Sequence, residues 1–280
     1  MPSLLISGAS RGIGRATTLR LARAGWDVYA TVRAAADGEA LRAEGGDRVR
    51  IVELDVTDDA QIAALDGQLP ERLDAVVNNA GIVVSGPLES LSPAELREQF
   101  DVNVVGAVAL TNAVLPRLRQ SRGRVVFLSS LSGRVSTPMT GAYNASKFAI
   151  EAIADAWRLE LRAWGIEVIL IEPAMTDTDL WRQAPETLET TVAGMSSEHR
   201  ELYAGHLDGM RKTVPRIQKM AKPVEGVAAT IERALTATRP RARYVVGADV
   251  KVQAALAAVT PTALGDRLNG MLTGTPPKPR

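Results

Sequence analysis

Tyr143 and Lys147, four residues apart, are the pair in this sequence best suited to acid–base chemistry. If residues 142–164 form a helix, an i,i+4 pair lies on one face, one turn apart. A lysine ammonium beside a phenol favours the phenolate, so the spacing predicts a tyrosine pKa below its usual value of about 10. Such a tyrosine can exchange a proton near neutral pH. By spacing alone, a packed ring and a solvated charge are the more common outcome, so other motifs must decide.

A glycine-rich stretch near the amino terminus, residues 7–14, is the first of those motifs. Its glycines are Gly8, Gly12 and Gly14, and it lies between an apolar strand pattern and a helical pattern. Glycines in this position permit a tight turn and let the backbone approach a pyrophosphate at the helix N-terminus. A plain glycine turn is the alternative, but strand, loop and helix in this order favour a dinucleotide site.

The end of the second predicted strand indicates which dinucleotide binds. An acidic residue there would accept hydrogen bonds from the ribose of NAD, whereas an arginine would pair with the 2′-phosphate of NADP. That strand ends at Val32, Arg33 follows it, and no acidic residue occurs before Asp37. Arg11, inside the glycine loop, adds a second guanidinium that suits a phosphate. NADP(H) is therefore predicted in preference to NAD(H), and two solvated surface arginines are the alternative.

The elements that must position these residues alternate along the chain. Short apolar runs, typical of strands, lie at residues 4–6, 28–32, 49–52, 75–77, 125–128, 168–171 and 244–246. Helical patterns lie at residues 13–24, 58–69, 93–118, 142–164 and 224–237. Strands buried on both faces and alternating with helices indicate a parallel sheet. The predicted fold class is α/β, a Rossmann-type doubly wound parallel sheet of six to seven strands flanked by helices.

One domain is predicted over residues 1–272, with two additions to the sheet and its helices. Residues 175–221 are polar and strand-free, and we expect them to form a lid of one or two helices over the substrate. Residues 250–272 predict an apolar helical extension, and the proline-rich residues 273–280 predict a flexible tail. Methionine and other apolar residues within 131–142 and 175–221 favour a lipophilic substrate.

Composition and charge exclude several classes of function. The apolar fraction of 46% and a mean hydropathy of zero are typical of a soluble globular protein. A net charge of +1 argues against nucleic acid and membrane partners. The chain has no cysteine, and His199 and His206 have no carboxylates at metal-ligand spacing, so no metal is predicted. No signal-peptide pattern and no 18-residue apolar run occur, which predicts a cytoplasmic protein.

Taken together, the motifs resemble those of the short-chain dehydrogenase/reductase family, in its one-domain form. The matching residues occur in order along the chain: residues 7–14, Asp55, residues 78–81, Asn103 with Gly106, Ser130, Tyr143 with Lys147, and residues 173–178. Two positions depart from the family pattern, because Ser7 replaces the more common threonine and Ala174 follows Pro173 where glycine is usual. The layout is similar to the steroid- and retinol-dehydrogenase-like branch.

This resemblance implies hydride transfer between a nicotinamide and a small-molecule carbonyl or alcohol. Tyr143 would move the proton, Ser130 would hydrogen-bond the substrate oxygen, and Lys147 would also hold the nicotinamide ribose. Asn103 would position a relay water, although a buried asparagine satisfied by backbone is an equal alternative. The implied contacts include Asp55 to the adenine and Thr178 to the carboxamide. The full implied cofactor site is Gly8, Ser10, Arg11, Gly12, Ile13, Gly14, Arg33, Asp55, Val56, Asn79, Ala80, Gly81, Tyr143, Lys147, Pro173, Thr176 and Thr178.

The family also implies a homodimer or homotetramer, paired through the long helices predicted at 93–118 and 142–164. Three other functions remain open. One is a β-ketoacyl thioester reductase, and another is a lyase or epimerase, although such relatives carry a larger C-terminal domain. The third is a non-catalytic dinucleotide-binding regulatory protein, for which we would expect damage in the set Asn103, Ser130, Tyr143 and Lys147; all four are present.

Overall fold

The computed structural model describes the backbone of residues 1–276 and the side chains of most of them. Its strands are β1 Ser3–Ile6, β2 Asp27–Val32, β3 Val49–Glu53, β4 Ala75–Asn78, β5 Arg124–Leu128, β6 Glu167–Pro173 and β7 Arg243–Val246. All pair in parallel, in the order β3-β2-β1-β4-β5-β6-β7. The predicted α/β fold, with a seven-stranded doubly wound sheet, is confirmed.

Helices cover both faces of this sheet. The first five are α1 Gly12–Arg23, α2 Ala35–Gly45, α3 Asp59–Ala64, α4 Pro93–Phe100 and α5 Gly106–Ser121. The others are α6 Gly141–Glu160, α7 Asp179–Arg182, α8 Ala184–Gly194, α9 Ser197–Leu202, α10 Ala204–Gln218, α11 Val224–Thr236, α12 Ala248–Val259 and α13 Thr262–Thr273. Helix α2 was not predicted, because it buries only Gly38 and Leu41 and so lacks a clear apolar stripe.

Two apolar cores form because successive strand residues point to opposite faces of the sheet. Leu5 and Phe127 belong to the core beneath α5 and α6, whereas Leu4 and Ile6 belong to the core beneath α1 and α11. Trp157 of α6 stacks on Phe127 with ring centroids 5.7 Å apart. Each fully buried side chain of this size stabilises the fold by about 1.5–3 kcal/mol.

The long helix predicted over residues 93–118 is interrupted in the structure. Helix α4 begins with a capping box between Ser92 and Glu95, and a π-helical turn, Asp101–Val105, separates it from α5. Helix α5 then packs closely against the loop after β3, since a Cβ on Gly106 would lie 2.7 Å from the Val56 carbonyl oxygen. Turns of this kind are frequent at functional sites, and this one carries Asn103.

The excursion predicted at residues 175–221 contains the helices α7 to α10, more than the one or two expected. Its two ends meet, because the Lys222 amide donates to the Met175 carbonyl at 3.0 Å and the Asp177 amide donates to Lys222 at 2.8 Å. A small separate apolar cluster fills its interior, formed by Met139, Leu188, Met195 and Leu207. The excursion is therefore joined at its base and packs around a small cluster that also includes Met139, from the segment before α6.

The helical extension predicted at residues 250–272 is a pair of helices, α12 and α13, separated at Thr260 and Pro261. Proline cannot continue the first helix, and here it lies just before the second. In the predicted tail, the Thr275 amide donates to the Gly270 carbonyl at 2.9 Å. Residues 277–280 of that tail lie outside the described residues.

Candidate active site

The candidate site lies where the order of the strands reverses. β1 pairs with both β2 and β4, so the chain continues towards β3 on one side and towards β7 on the other. In doubly wound sheets, ligands bind outside the carboxyl ends of the strands at this switch point. The glycine loop follows β1 and residues 79–81 follow β4, so these two predicted motifs are neighbours.

The geometry of the glycine loop fits a pyrophosphate. Gly8 and Gly12 have φ angles of +65° and +55°, a region that other residues avoid. A Cβ on Gly14 would lie 2.2 Å from the Gly8 carbonyl oxygen, so this close approach requires glycine. Helix α1 has no side-chain cap at Arg11, which leaves its first N–H groups for an anion. Of the other predicted loop residues, Ser10 is partly exposed and Ile13 packs against the core.

Asn79 and Ser7 fasten the glycine loop to the end of β4. Asn79 Nδ2 donates to the carbonyl oxygens of Ser7 and Gly8 at 2.9 and 3.0 Å. The Ser7 hydroxyl accepts from the backbone amides of Asn79 and Ala80, both at 3.0 Å. The serine found where threonine is more common thus forms these contacts with its hydroxyl. The Asn79 side chain supports the loop, a role that the sequence did not indicate.

Arg33 and Asp55 lie together at the carboxyl edge of β2 and β3. Hydrogen bonds from the Thr57 amide and hydroxyl, at 2.9 and 2.7 Å, hold the pKa of Asp55 below its usual value, and the charge of Arg33 adds to this effect. Arg33 and Arg11 are both exposed, so each guanidinium is accessible to a ligand. Val56 is buried against α5 and can offer only its backbone.

Three of the predicted catalytic residues meet at the junction of α6 and the end of β5. Lys147 Nζ lies 5.6 Å from the centroid of the Tyr143 ring, as their helical spacing predicted. Ser130, two residues beyond β5, is in hydrogen-bonding contact with Tyr143. Lys147 Nζ donates to the Leu128 carbonyl at 2.7 Å, so its ammonium is directed towards the backbone of β5.

Burial dominates the electrostatics of this pair. It raises the pKa of Tyr143 above the usual value, and the hydrogen bond with Ser130 opposes the rise. It lowers the pKa of Lys147 to about 8, and the charge of Glu151 opposes the fall. The lowered tyrosine pKa predicted from the spacing is therefore wrong for this structure. Desolvation disfavours both charged forms, and the ammonium bonds to a carbonyl instead of the phenol.

Asn103 is buried and fully engaged by neighbouring groups. Its Oδ1 accepts from the Ile82 amide at 2.8 Å, and its Nδ2 donates to the Ile82 carbonyl and to Ser146 Oγ, both at 3.1 Å. Ser146 Oγ in turn donates to the Tyr143 carbonyl at 2.7 Å. The side chain thus has the backbone-satisfied environment that was the alternative to a water site. Ser146 was not among the predicted site residues. A buried polar residue next to Lys147 could have indicated it.

The predicted residues after β6 reach back towards the glycine loop. Pro173 ends the strand, and the buried Thr176 hydroxyl donates to the Ala174 carbonyl at 3.0 Å. The Thr178 methyl would lie 3.3 Å from a Cβ placed on Gly12. Thr178 therefore borders the glycine loop, whereas the Thr176 hydroxyl is bonded to the backbone two residues before it.

A charge cluster beside the site, built around the buried carboxylates of Glu151 and Glu172, was not predicted. Glu172 is fully buried and receives two hydrogen bonds from Arg134, at 2.6 and 2.8 Å. Arg243 bonds to Glu151 at 3.0 Å and to both carboxylate oxygens of Asp155 at 2.7 Å. Arg243 and Glu151 alone are 92 positions apart, so no local pattern indicates that these residues meet.

The two histidines lie in the excursion. Within residues 1–276, His206 faces the Tyr203 ring with centroids 5.2 Å apart, and no group of three or more possible metal ligands is found. Among the same described residues, no helix has both the length and the apolar character needed to cross a bilayer.

A doubly wound sheet with a glycine loop at its switch point defines a dinucleotide-binding α/β enzyme. A family model described as short chain dehydrogenase matches residues 3–189, and the chain belongs to that family of oxidoreductases acting on CH–OH and C=O groups. The family predicted from the ordered motifs is thereby confirmed.

Characterised relatives and solved structures resemble most of the chain. An NADPH-dependent 3-dehydrocapnine reductase of Ornithobacterium rhinotracheale is 34% identical over 252 residues, covering 86% of this chain and 87% of the relative. Retinol dehydrogenase 16 of Mus musculus is 35% identical over 275 residues, covering 95% and 86%. A short chain dehydrogenase from Burkholderia cenocepacia, solved in complex with NADP, superposes with a TM-score of 0.75 at 25% identity, covering 95% and 97%.

Proposed function

We propose that this protein is an NADP(H)-dependent oxidoreductase that interconverts a lipophilic carbonyl compound and its alcohol, with Tyr143 as the proton donor or acceptor. The observation that carries the proposal is the meeting of Tyr143, Ser130 and Lys147 at the same edge of the sheet as the glycine loop. The NADPH-dependent relative and the NADP-bound structure support the choice of cofactor, as do Arg11 and Arg33.

The glycine loop, Arg33 and Lys147 would hold NADP(H), which would supply a hydride for the carbonyl carbon or accept one from the alcohol carbon. The Tyr143 hydroxyl donates its proton to the carbonyl oxygen as that oxygen gains charge, and takes it back in the reverse direction. Ser130 donates a hydrogen bond to the same oxygen and stabilises the developing charge. Because burial raises the pKa of Tyr143, the phenol is protonated at neutral pH, which favours its role as the acid in reduction.

Lys147 and Asn103 have supporting roles in this proposal. Lys147 is assigned to hold the nicotinamide ribose, and its positive charge favours the phenolate that remains after proton transfer. Asn103 holds the π-helical turn against α6 through Ser146, and the relay water predicted beside it stays a prediction. The proposed cofactor contacts otherwise follow the sequence prediction, with Asn79 also bracing the glycine loop.

The lipophilic substrate is supported by the excursion and by the name of one relative. Apolar residues of the excursion pack on Met139, nine residues from Ser130, so the unit lies next to the catalytic residues. A retinol dehydrogenase is among the similar proteins. We propose that residues 175–221 form the lid over the substrate, within one domain of residues 1–272.

We also propose a cytoplasmic homodimer or homotetramer. The cysteine-free composition suits a reducing compartment. Pairing through the long helices is supported by three exposed apolar side chains: Val105 in the π-helical turn, and Phe148 and Leu159 on α6.

One assay tests the reaction, the cofactor and the substrate class. Wild-type protein is mixed with NADPH or NADH and a panel of aldehydes, small ketones, steroids, retinoids and β-ketoacyl thioesters, and cofactor oxidation is followed. We expect NADPH-dependent reduction of lipophilic carbonyls. A preference for NADH would contradict the role of Arg33, and turnover of thioesters alone would favour the β-ketoacyl reductase alternative.

Tyr143→Phe tests the chemistry in the same assay. Removing the proton donor is expected to lower kcat by a factor of about 100 or more, while NADPH binding measured by fluorescence stays unchanged. Tyr29→Phe, which alters a core tyrosine on β2, is the matched control and should keep wild-type turnover. Turnover that persists in Tyr143→Phe would rule out the proposed mechanism, and NADPH binding without any turnover in the wild type would favour a regulatory protein.

A further inference from the structure

Glu151 lies on α6 one turn beyond Lys147 and is almost completely buried, with 8% of its surface exposed. The segment after Ser130 presses directly on this turn of the helix. A Cβ on Gly133 would lie 2.9 Å from Ser129 Oγ, 3.1 Å from Glu151 Cγ and 3.2 Å from the Lys147 carbonyl oxygen. A larger residue would force these neighbours to shift, so the loop that carries Ser130 (residues 129–133, the serine loop) rests on the backbone and side chains around Lys147.

One oxygen of the Glu151 carboxylate has a hydrogen-bond partner, and the other has no partner of regular geometry. Its Oε2 accepts from Arg243 Nε at 3.0 Å. Its Oε1 and the hydroxyl of Ser129 are both buried and lack a hydrogen-bond partner of regular geometry among the described side chains. The two groups nevertheless lie close enough for Ser129 to favour the ionised carboxylate. Ser129 immediately precedes the proposed catalytic serine.

Through Arg243, Glu151 belongs to the charge cluster described above. Arg243 also bonds to Asp155 of α6 and lies 3.5 Å from Glu172 of β6. Glu172 holds Arg134, which follows Gly133, and precedes Pro173 at the cofactor end of the strand. The cluster thus ties together the serine loop, the helix of Tyr143 and Lys147, and the strand end that borders the cofactor site.

We propose that Glu151 is a positioning residue for the reaction, which keeps Lys147 in its charged form and holds the serine loop against α6. It acts through Lys147 and Ser130 and does not touch the substrate. This inference rests on the proposed function, because it assigns Glu151 to the same proton transfer.

The charges around Lys147 support this role. Burial lowers the pKa of Lys147 to about 8, and Glu151 is the charged group that opposes the fall. Burial also raises the pKa of Glu151, while Ser129 and Arg243 lower it and Glu172 raises it further. The titratable and charged groups around this part of α6 are Tyr143, Glu151 and Asp155 on the helix, Arg134 after the serine loop, Glu172 on β6 and Arg243 on β7. Removing the carboxylate of Glu151 therefore leaves the lysine with burial unopposed.

The test compares Glu151→Gln with Asp155→Asn. Both variants remove a carboxylate bonded to Arg243, but Asp155 lies two turns from Lys147 and is half exposed. For Glu151→Gln we expect the apparent pKa at which kcat/KM falls on the alkaline side to be lower by about one unit. Activity should then be about tenfold lower at pH 9 and little changed at pH 6.5. Asp155→Asn is expected to show the same alkaline pH dependence of kcat/KM as the wild type. Glu151→Asp, which retains the negative charge, should have a pH dependence close to that of the wild type.

A second readout does not depend on turnover. In protein labelled with ¹³C at lysine Cε, the NMR signal of Lys147, assigned by its loss in Lys147→Arg, should titrate near pH 8 and shift to lower pH in Glu151→Gln only. If the wild type is active and neither the alkaline pH dependence of kcat/KM nor this titration moves in Glu151→Gln, the inference is wrong while the proposed function stands. If the titration moves but no carbonyl is reduced by the wild type, the proposed function fails and the electrostatic role of Glu151 is retained.

Discussion

At the scale of single residues, burial decides how the chemical groups of this site behave. Tyr143 and Lys147 lie as close as their spacing predicts, yet the pKa of the Tyr143 phenol rises because desolvation outweighs the hydrogen bond with Ser130. The same burial lowers the pKa of Lys147. Both groups are therefore shifted towards their neutral forms in the absence of a ligand.

Lys147 gives a prediction for the dependence of stability on pH. Its pKa is about 8 in the folded protein against 10.5 for a free lysine, so between these values the unfolded chain binds more protons at this site. The free energy of unfolding should therefore rise with pH in this window relative to Lys147→Met, by up to about 3 kcal/mol at roughly 1.4 kcal/mol per unit. Urea unfolding of both proteins from pH 7 to 10.5 measures the difference.

In the same pH window the activity should fall, because Lys147 loses the charge on which the proposed proton transfer depends. Stability and activity are thus expected to change in opposite directions as pH rises above about 8. A difference in unfolding free energy between wild type and Lys147→Met that does not vary with pH would show that this lysine is not buried as the structure has it.

At the scale of elements, the excursion is packed separately from the two cores of the sheet. Leu207, 2% exposed, packs with Met139, Leu188 and Met195, and none of these belongs to either sheet core. Regions with their own small clusters and few other contacts open with lower free energies than the main core. Residues 175–221 are thus suited to move as a unit about the pairing of Thr176 with Lys222.

Leu207→Ala tests this separation. Loss of the buried side chain should destabilise the small cluster by about 2–5 kcal/mol, so the excursion should open while the sheet stays folded. We expect limited proteolysis to cut within residues 175–221 at least tenfold faster, and KM for a lipophilic substrate to rise, with little change in the main unfolding transition. Leu202→Ala, in the same excursion but 64% exposed, should behave as wild type. A parallel loss of the main transition would show one continuous core.

At the scale of the whole molecule, large apolar side chains are exposed on two separate surfaces. One surface includes Val105, Phe148 and Leu159 beside and on α6, and the other includes Leu256 of α12 and Leu268 of α13. Exposed apolar patches of this kind commonly mark contacts with another chain. The proposed homo-oligomer uses the first surface.

Leu159→Glu distinguishes the two surfaces. A charge at this residue, 73% exposed on α6, is expected to separate the proposed dimer or tetramer into monomers of 29.8 kDa, measured by size-exclusion chromatography with light scattering. Leu256→Glu on α12, 57% exposed, is the matched control and should leave the mass of the wild type unchanged. The reverse result would place the interface on the C-terminal helices.

Local patterns in the sequence determined the strands, their alternation with helices and the family to which the chain belongs. Apolar runs and helical periods predicted all seven strands, and the ordered motifs predicted the family. The helical spacing of Tyr143 and Lys147 also predicted correctly that they share a face. These features depend on residues close together in the chain, where backbone geometry fixes the relation between side chains.

Only the tertiary structure decided the features that depend on distant residues. It showed helix α2, whose buried residues are Gly38 and Leu41. It also showed the π-helical turn, in which Asn103 bonds to Ile82 and Ser146. It reversed the predicted direction of the Tyr143 pKa, because burial is a property of the whole fold. It also brought Arg243 to Glu151 across 92 positions, a contact that no local pattern encodes. Charge and packing act through space, so their outcome at this site depends on the assembled sheet and helices.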